Sequence, residues 1–382
     1  MLQNREQAIS DFLSCIADEI SISEAMQKKA VSSYEAVGRY LDEGIDCKVS
    51  IMPQGSMNLG TTIRPLTEDD DGYDIDLVCL LETSNLSLAE IKNVVGNRLK
   101  ESVRYAGKID EEGKRCWTLH YDGFHMDILP CVPRYGYFVK PSWTEIKLTH
   151  KTGNMQYVAK YSNPYQYQQW FEGRMETILA IAREAYARSV RCSIDEVPTY
   201  AVKTPLQKAI QLLKRHRDIF FKDDDTDSPI SIIITTLAAQ AYNGEADLYE
   251  ALRQIIQGMP RYIERRNGQY WIPNPTIADE NFAEKWNESE AKADAFYKWL
   301  RQVRLDLIDA PLTFAGIHNY SSAFGKCLGE APARRVATAY GMQAKAAVDA
   351  GTLGMVNGSG MLAAREDNSG IKKVEQHNFY GQ

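Results

Sequence analysis

Two aspartates lie two positions apart in YDIDLVCLL, residues 73–81, a segment that otherwise has the composition of a buried strand. Strands usually disfavour aspartate. Because side chains alternate between the two faces of a strand, Asp74 and Asp76 should point to the same side, while the residues between and after them point into the core. Two carboxylates held side by side repel each other, and a divalent cation between them removes that cost. The pair therefore predicts a metal site.

A third carboxylate, Asp127, lies in FHMDILP, a second segment with the composition of a strand. If this strand lies beside residues 73–81, the three carboxylates converge on one spot. Such a set can hold two metal ions for phosphoryl transfer, one polarising the attacking hydroxyl and the other holding the triphosphate and the leaving pyrophosphate. The alternative for Asp74 and Asp76 is the solvated face of an edge strand, but the apolar run LVCLL that follows them argues against an edge.

A Gly-Ser pair, Gly55-Ser56, precedes the aspartate strand. Glycine lets the backbone approach a phosphate closely, and the serine hydroxyl together with nearby amides can bind phosphate oxygens. The pair alone is a weak signal, but its position upstream of Asp74, with a strand on either side, makes it far more specific. The acidic run at residues 68–71 is different, because a solvated loop explains it better than a metal site does.

The elements that must position these residues can be read from the pattern of apolar positions. Residues 5–43 have helical spacing, and Ser21 with Glu24 suits a capping box that restarts the helix. Asp122-Gly123 is a hairpin signal between two strands. The remaining predictions for the first part of the chain are a strand at residues 47–52, a helix at 87–103, and strands at 115–122 and 124–132.

After residue 150 the pattern becomes largely helical. Thr204 suits an N-cap with Pro205 at the first helical position. Residues 228–243 are ambiguous between strand and helix, and the Ser-Pro start and Ala-rich end favour helix. Further helices are predicted at residues 162–175, 202–221, 246–259, 288–308 and 333–351. We therefore expect a core domain over residues 1–150, a mostly helical domain over 151–350 that completes the cleft, and a flexible tail over 351–382.

The totals are those of an ordinary globular protein, with 382 residues, 44% hydrophobic and 25% charged. The N-terminus lacks the apolar core of a signal peptide, and no apolar run is long enough to cross a bilayer, so a cytoplasmic protein is expected. The net charge of −7 disfavours duplex DNA as a partner. The seven cysteines are scattered without a CxxC pair, which predicts reduced thiols rather than a disulfide framework or a zinc ribbon.

Together these motifs resemble the DNA polymerase β-like nucleotidyltransferases and, within them, the bacterial CD-NTases, which are cGAS- and DncV-like synthases of CBASS anti-phage systems. The resemblance covers most of the chain. The segments that carry it are QGS at 54–56, TTIRP at 61–65, YDIDLV at 73–78, HMDILP at 125–130, SNP at 162–164, QLLKRHRD at 211–218, PIS at 229–231 and ENFAEKW at 280–286.

The resemblance implies an α+β fold, in which a polymerase β-like nucleotidyltransferase core, a mixed sheet with long N-terminal helices, packs on a C-terminal helical bundle. It also implies roles for the residues of the first half. Gly55 and Ser56 would hold the donor triphosphate, Asp74 and Asp76 would bind both metal ions, and Asp127 would complete the metal site and help to activate the acceptor hydroxyl. The expected cofactor is Mg²⁺, as two ions for which Mn²⁺ can substitute.

From the helical half, Lys214 and Ser231 are the candidates for contacting the β- and γ-phosphates of the donor, and Gln54 is a candidate for bordering the acceptor nucleotide. A solvated helix lysine is the alternative for Lys214. Competing candidates are Lys203, Lys208 and Ser228.

The implied function is the template-independent joining of NTPs, such as ATP and GTP, into a cyclic di- or trinucleotide messenger for anti-phage signalling. An RNA-tailing or oligoadenylate-type enzyme and a catalytically silent nucleotide-binding module are the alternatives. The implied partners are a HORMA-type regulator or ubiquitin-like E1/E2 enzymes. The C-terminus VEQHNFYGQ resembles tails that such enzymes conjugate, although Gly381 is here followed by Gln382.

Overall fold

The structure is a computed structural model that describes residues 2–66, 72–83, 85–135, 145–153, 156–197, 201–356, 362–364 and 371–373. The acidic run at residues 68–71 and the C-terminal residues 374–382, and with them the predictions made for these stretches, lie outside the described residues.

A six-stranded mixed sheet forms the centre of the first half. Its strands are β1 (Val49–Pro53), β2 (Tyr73–Leu81), β3 (Trp117–Tyr121), β4 (Phe124–Pro133), β5 (Ile146–Lys151) and β6 (Tyr157–Ser162). The order is β1-β2-β4-β5-β6, with β3 also paired to β4. Only β2 and β4 run parallel among these pairs; the others are antiparallel. Because β2 lies between β1 and β4, the prediction that the aspartate strand is not an edge strand is confirmed.

Helices cover this sheet and build the second half. They are α1 (Leu2–Ile20), α2 (Glu24–Asp42), α3 (Gly55–Asn58), α4 (Leu88–Glu101), α5 (Pro164–Gly173), α6 (Glu176–Val190), α7 (Pro205–Phe220), α8 (Ser231–Ala241), α9 (Leu248–Gly258), α10 (Glu290–Arg304), α11 (Ile317–Leu328) and α12 (Glu330–Asp349). The ambiguous segment at 228–243 is the helix α8, as predicted. A parallel pair of strands requires a crossover, and α4 with the hairpin strand β3 supplies the connection between β2 and β4.

Two of the predicted helix starts can be compared with the structure. Thr204 caps α7 with Pro205 at its first position, which confirms that prediction. The capping box of Ser21 and Glu24 was wrong, because Ser23 is the N-cap of α2 and accepts from the Met26 amide. Ser21 stays with the end of α1, where its hydroxyl donates to the Ala17 carbonyl at 2.7 Å.

The apolar side chains form separate clusters on the two sides of this arrangement. One cluster packs α2 and α4 against the sheet, with Leu41, Val95 and Leu119 fully buried. Another joins the helices of the second half, and it includes the buried face of α1, such as Phe12 and Ile16. The N-terminal helix therefore packs mainly on the helical half, although it comes first in the sequence.

Several elements were not predicted. The strands β5 and β6 extend the sheet beyond residue 150, and α6 and α11 went unnoticed. Two small antiparallel pairs were also missed: β7 (Glu264–Arg266) with β8 (Gln269–Trp271), and β9 (Pro273–Asn274) with β10 (Ile277–Asn281). Such strands are too short for an apolar periodicity to stand out.

The C-terminal segment carries a small sheet of β11 (Leu353–Val356), β12 (Leu362–Ala364) and β13 (Ile371–Lys373), with β11 in the middle. These residues belong to the segment 351–382 that the sequence predicts to be a flexible tail, and that prediction stays a prediction. The high Gly, Ser and charge content of the segment concealed three short stretches that pair through their backbones.

None of the described helices combines the length and apolar character that a membrane span needs. All seven cysteines are free thiols, in agreement with the expectation of reduced cysteines.

Two helical glycines should respond to alanine in opposite ways. In α4, a Cβ at Gly96 would lie 2.2 Å from the Trp117 ring, which is anchored by its Nε1 hydrogen bond to the Lys92 carbonyl. In α12, a Cβ at exposed Gly341 meets nothing within 4 Å. We expect Gly96→Ala to lower the free energy of unfolding by about 1–3 kcal/mol through overpacking, and Gly341→Ala to raise it by about 0.4–1 kcal/mol. Urea unfolding checks both; stabilisation by Gly96→Ala would contradict the close helix–sheet contact.

Candidate active site

The parallel register of β2 and β4 brings the candidate carboxylates together. Asp76 is the direct partner of Asp127, and Asp74 is the partner of His125, two residues earlier on β4. Ile75, between the two aspartates of β2, is fully buried. The prediction that the two aspartate strands lie side by side is confirmed, and all three carboxylates belong to one face of the sheet.

Burial and the negative charges of neighbouring carboxylates raise the pKa values of Asp74 and Asp76. Burial, followed by the charges of Asp127 and Asp74, raises the pKa of Asp76 to about 6, and Lys214 opposes this rise. The pKa of Asp74 is also raised, first by loss of water around its carboxylate and then by Asp127, with His125 and Lys214 opposing. Like charges that are crowded together in this way are stabilised by a cation.

Asp127 is held in place by a neighbouring strand. Thr118 of β3 is its cross-strand partner, and the Thr118 Oγ1 donates to Asp127 Oδ1 at 2.5 Å. One oxygen of the carboxylate is thereby oriented. Thr118 was missed in the sequence, although its place in a strand ahead of the hairpin signal would have suggested a position opposite Asp127.

The Gly-Ser pair forms the start of the short helix α3 directly against the aspartates. Gly55 has a φ of +61°, and a Cβ on it would lie 2.5 Å from Asp76 Oδ2. The Gln54 amide donates to the Asp76 carbonyl at 2.8 Å, which ties the turn to β2. The Ser56 hydroxyl lies 3.1 Å from that of Thr62. Only glycine allows both the left-handed backbone and this close approach.

A cleft of about 320 Å³ opens beside these residues, lined by α3, the segment that follows it, β2, α7 and α8. Gly55, Ser56, Asp74, Asp76, Lys214 and Ser231 all line it, so six of the predicted site residues meet there. Asp127 and Gln54 are not part of its lining; Asp127 lies next to Asp76 on β4, and Gln54 precedes α3.

Lys214 and Ser231 come from the helical half and face the cleft beside Arg217. Lys214 is buried, and its Nζ donates to the Thr61 carbonyl at 3.1 Å. Burial, and then the charge of Arg217, lowers the pKa of Lys214 to about 8, against the opposing charges of Asp218, Asp76 and Asp74. Arg217 Nη1 donates to Ser231 Oγ at 2.9 Å. Lys214 and Arg217 thus form a cationic wall of the cleft, in which Asp218 pairs with Arg217 at 2.6 Å.

The competing candidates lie elsewhere. Lys208 forms a salt bridge with Asp18 at 2.8 Å and also donates to Ser14. Lys203 donates to Ser21 Oγ and lines a different cavity of about 450 Å³, which contains none of the three aspartates. Ser228 does not line the cleft.

One face of α7 holds the segment that follows Ser56. Gln207 Nε2 donates to the Leu59 carbonyl at 2.9 Å, and Gln211 Nε2 donates to the Thr62 carbonyl at 2.7 Å. The Lys214 bond to Thr61 continues this row along the same face, since these positions are four and three residues apart. These hydrogen bonds connect two of the sequence motifs: QLLKRHRD, on α7, holds TTIRP beside the cleft.

The carboxylate oxygens of Asp74, Asp76 and Asp127 are suitable ligands for a hard divalent cation. Carboxylate oxygens are the ligands that Mg²⁺ prefers, usually one or two of them together with substrate phosphates. Here three carboxylates share one face, and the raised pKa values of Asp74 and Asp76 reflect charge that a cation would neutralise.

Comparison with known proteins identifies a family for this chain. Residues 49–131, from β1 to β4, match the family described as "Cyclic GMP-AMP synthase DncV-like, nucleotidyltransferase domain". A curated relative from Roseivirga ehrenbergii, named c-di-GMP synthase, is 32% identical over 296 residues, which cover 74% of each chain.

The chain belongs to the CD-NTase family.

Two further CD-NTases extend the comparison. The cyclic dinucleotide synthase CdnG of Bradyrhizobium diazoefficiens is 28% identical over 307 residues, covering 75% of this chain and 72% of CdnG. Its structure in complex with GTP has a TM-score of 0.68 at 25% identity and covers 87% of this chain and 99% of that one. CdnC of E. coli MS115-1, in complex with HORMA-deltaN, shares the fold alone, with a TM-score of 0.55 at 14% identity over 84% of this chain and 96% of that one.

This CD-NTase is therefore a nucleotidyltransferase with the expected α+β fold, and its named relatives are cyclic dinucleotide synthases. The RNA-tailing and silent-module alternatives are not favoured. Nucleotidyltransferases of this family generally use divalent metal ions, which agrees with the three-carboxylate face.

The raised pKa of Asp76 predicts that replacing this residue by asparagine stabilises the folded protein, and that the gain is larger at high pH. Asp76 has a pKa of about 6 in the folded protein and an ordinary value of 3.8 in the unfolded chain, so ionisation destabilises the fold as the pH rises through this window. In metal-free protein, Asp76→Asn should raise the free energy of unfolding by roughly 2–3 kcal/mol at pH 8 and by little at pH 4.

Urea unfolding with a chelator present measures this effect. Asp279→Asn, at an exposed position of β10, is the matched control and should change little at either pH. Added Mg²⁺ should stabilise the wild type but not Asp76→Asn. An equal effect of Asp76→Asn at both pH values would show that charge repulsion is not its cause.

Proposed function

We propose that this CD-NTase joins two molecules of GTP into cyclic di-GMP without a template. The observation that carries the proposal is the placement of Gly55 and Ser56 directly against Asp76, which is itself paired with Asp127. The choice of GTP is supported by the relative named c-di-GMP synthase, with which 74% of the chain aligns.

In this proposal, the triphosphate of the donor lies against the backbone of Gly55 and Ser56, with Lys214 and Ser231 at its β- and γ-phosphates. The ribose hydroxyl of the acceptor GTP, bordered by Gln54, faces the α-phosphate. The hydroxyl oxygen attacks the α-phosphorus and loses its proton toward Asp127. A new P–O bond forms, the bond between the α- and β-phosphates breaks, and pyrophosphate leaves. The same steps on the linear pppGpG close the ring.

Two Mg²⁺ ions bound by Asp74, Asp76 and Asp127, or Mn²⁺ in their place, would polarise the attacking hydroxyl and neutralise the leaving pyrophosphate. The protein supplies the remaining catalysis by positioning. The row of hydrogen bonds from α7 holds the segment after Ser56, and Thr118 orients Asp127. These contacts are made between groups of the protein itself, so little reorganisation is needed.

We also propose a biological role, a location and partners for this CD-NTase. The product would act as an anti-phage messenger in the cytoplasm, with a HORMA-type regulator or ubiquitin-like E1/E2 enzymes as partners. The division into a core over residues 1–150 and a helical domain over 151–350 stays a proposal as well, with the qualification that α1 packs on the helical half.

Product analysis tests the reaction. Incubation with Mg²⁺ and each single or paired NTP should give pyrophosphate and a cyclic dinucleotide from GTP alone, identified by mass spectrometry and by linkage-specific nucleases. Asp76→Asn and Asp127→Asn should each lower the rate to below about a thousandth of the wild-type rate, because either change removes a charge from the metal site. The exposed variant Asp279→Asn should retain it.

Other products would separate the alternatives. Long linear oligomers or an extended RNA primer would favour a tailing enzyme. Binding of GTP without any turnover, under conditions where the protein is folded, would favour a silent binding module. A mixed or adenine-only cyclic product would leave the reaction class intact and refute the assignment of GTP.

The role of Lys214 is tested by comparing two lysines of α7. Lys214→Gln removes the cation beside the aspartates, and loss of a charged hydrogen bond to phosphate should lower kcat/KM for GTP by about 10- to 100-fold. Lys208→Gln, on the same helix, breaks the bridge to Asp18 and the hydrogen bond to Ser14, both away from the cleft, and should leave kcat/KM within about twofold. Steady-state kinetics at pH 7 measures both. Equal losses for the two variants would remove Lys214 from the phosphate site.

A further inference from the structure

A second group of potential metal ligands lies outside the candidate active site. It consists of His216 of α7, Asp306 in the π-helical turn Leu305–Asp309 that follows α10, and Cys327 near the end of α11. Each offers a ligand atom, and these atoms all lie within 4.8 Å of one another. His216 Nε2 and Asp306 Oδ2 are 3.1 Å apart. Three different elements thus converge on one point inside the helical half.

Two of the three side chains are buried and the third is partly exposed, which suits a metal site with one side open to solvent. His216 is 2% exposed and Cys327 is 8% exposed. The Asp306 side chain is 30% exposed, so solvent reaches the cluster past this residue. His216 Nδ1 is buried without a hydrogen-bond partner. Nε2 is the ring nitrogen that faces Asp306, so it is the one that would bind an ion, and Nδ1 lies outside the ligand set.

The spacing agrees with the dimensions of a zinc site. Zn²⁺ binds His nitrogen at about 2.0–2.1 Å, carboxylate oxygen at about 2.0–2.2 Å and Cys sulfur at about 2.3 Å, so the ligand atoms of a tetrahedral site lie roughly 3.3–3.6 Å apart. The His216–Asp306 separation is already close to this value. The sulfur has to approach by at most about 1.2–1.5 Å, since the ligand atoms all lie within 4.8 Å of one another.

Neighbouring side chains hold the cluster residues in place, as residues around the ligands of metal sites usually do. Gln302 Nε2 donates to Asp306 Oδ1 at 2.9 Å and leaves Oδ2 directed at His216. The rings of Phe220 and Trp299 pack on the His216 ring. The turn that carries Asp306 has π-helical geometry, which occurs often at functional sites because it reorients a side chain.

We propose that His216, Asp306 and Cys327 bind a thiophilic divalent cation, Zn²⁺, with water as the fourth ligand on the exposed side of Asp306. The combination of thiol and imidazole selects zinc over Mg²⁺, which prefers oxygen ligands alone. The Cys327 thiol gives up its proton as the S–Zn bond forms. This proton passes to solvent.

The site would act as a clamp between α7, the end of α10 and α11. His216 lies between Lys214 and Arg217 in the sequence of α7, and those two residues face the candidate active site. The zinc ion would thus fix the helix that carries the cationic wall of the cleft from its other side. This inference does not depend on the identity of the nucleotide product.

Metal binding by the full chain tests the proposal without any activity measurement. Protein stripped with a chelator is dialysed against Zn²⁺ alone, and its metal content is measured by mass spectrometry. We expect about one Zn²⁺ per wild-type chain, loss of this binding in Cys327→Ser and Asp306→Asn, and a decrease of about tenfold in affinity in Gln302→Leu. Cys192→Ser, at a half-buried cysteine outside the cluster, is the matched control and should bind as the wild type does.

Co²⁺ substitution supplies a second measurement, because a cobalt–thiolate bond gives a charge-transfer absorption that only proteins retaining Cys327 should show. Circular dichroism establishes that each variant is folded; Asp306→Asn, at a partly exposed position, keeps the test available if Cys327→Ser does not fold. Failure of the wild type to bind Zn²⁺ above the level of Asp306→Asn overturns the proposal. Equal losses in Cys192→Ser and Cys327→Ser, or an absorption that persists without Cys327, also overturn it.

Discussion

The pairing of β2 with β4 is the constraint on which the rest of the site depends. Because the two strands run parallel in register, Asp76 and Asp127 lie side by side and Asp74 lies one step along the same face. Carboxylates so placed repel one another. They stay together because both strands are interior to the sheet and their opposite faces, including Ile75, are buried in the core. Core burial thus maintains an unfavourable charge arrangement, which a bound cation would relieve.

The helical half completes this arrangement through α7. The capped start at Thr204 sets the phase of the helix, so that Gln207, Gln211 and Lys214 all face the segment after Ser56 and bond to its carbonyls. That segment would otherwise be a loop with unsatisfied backbone groups beside the cleft. The helix therefore supplies both the cation and the scaffold for the Gly-Ser turn. Its opposite side carries His216, which places the proposed zinc clamp on the same element.

The aspartates could be predicted because charge inside an apolar strand conflicts with its local environment, and the Gly-Ser pair could be predicted from its position upstream of that strand. Residues such as Thr118 and Arg217 could not be predicted with the same ease, since their roles depend on the register of β3 and on the contact between α7 and α8. The packing of α1 on the helical half and the short C-terminal strands depend likewise on tertiary contacts. Periodicity finds an element, but it does not say which neighbour its apolar face will meet.

The central claim is that Asp74, Asp76 and Asp127 form a single metal-binding centre for phosphoryl transfer. Its most direct test is the anomalous diffraction of crystals grown with Mn²⁺ and a non-hydrolysable GTP analogue. The account predicts Mn²⁺ peaks in contact with all three carboxylates and with the phosphates of the analogue, whose triphosphate lies against Gly55 and Ser56. Peaks that contact none of the three carboxylates, or an analogue bound away from the Gly-Ser turn, would contradict it.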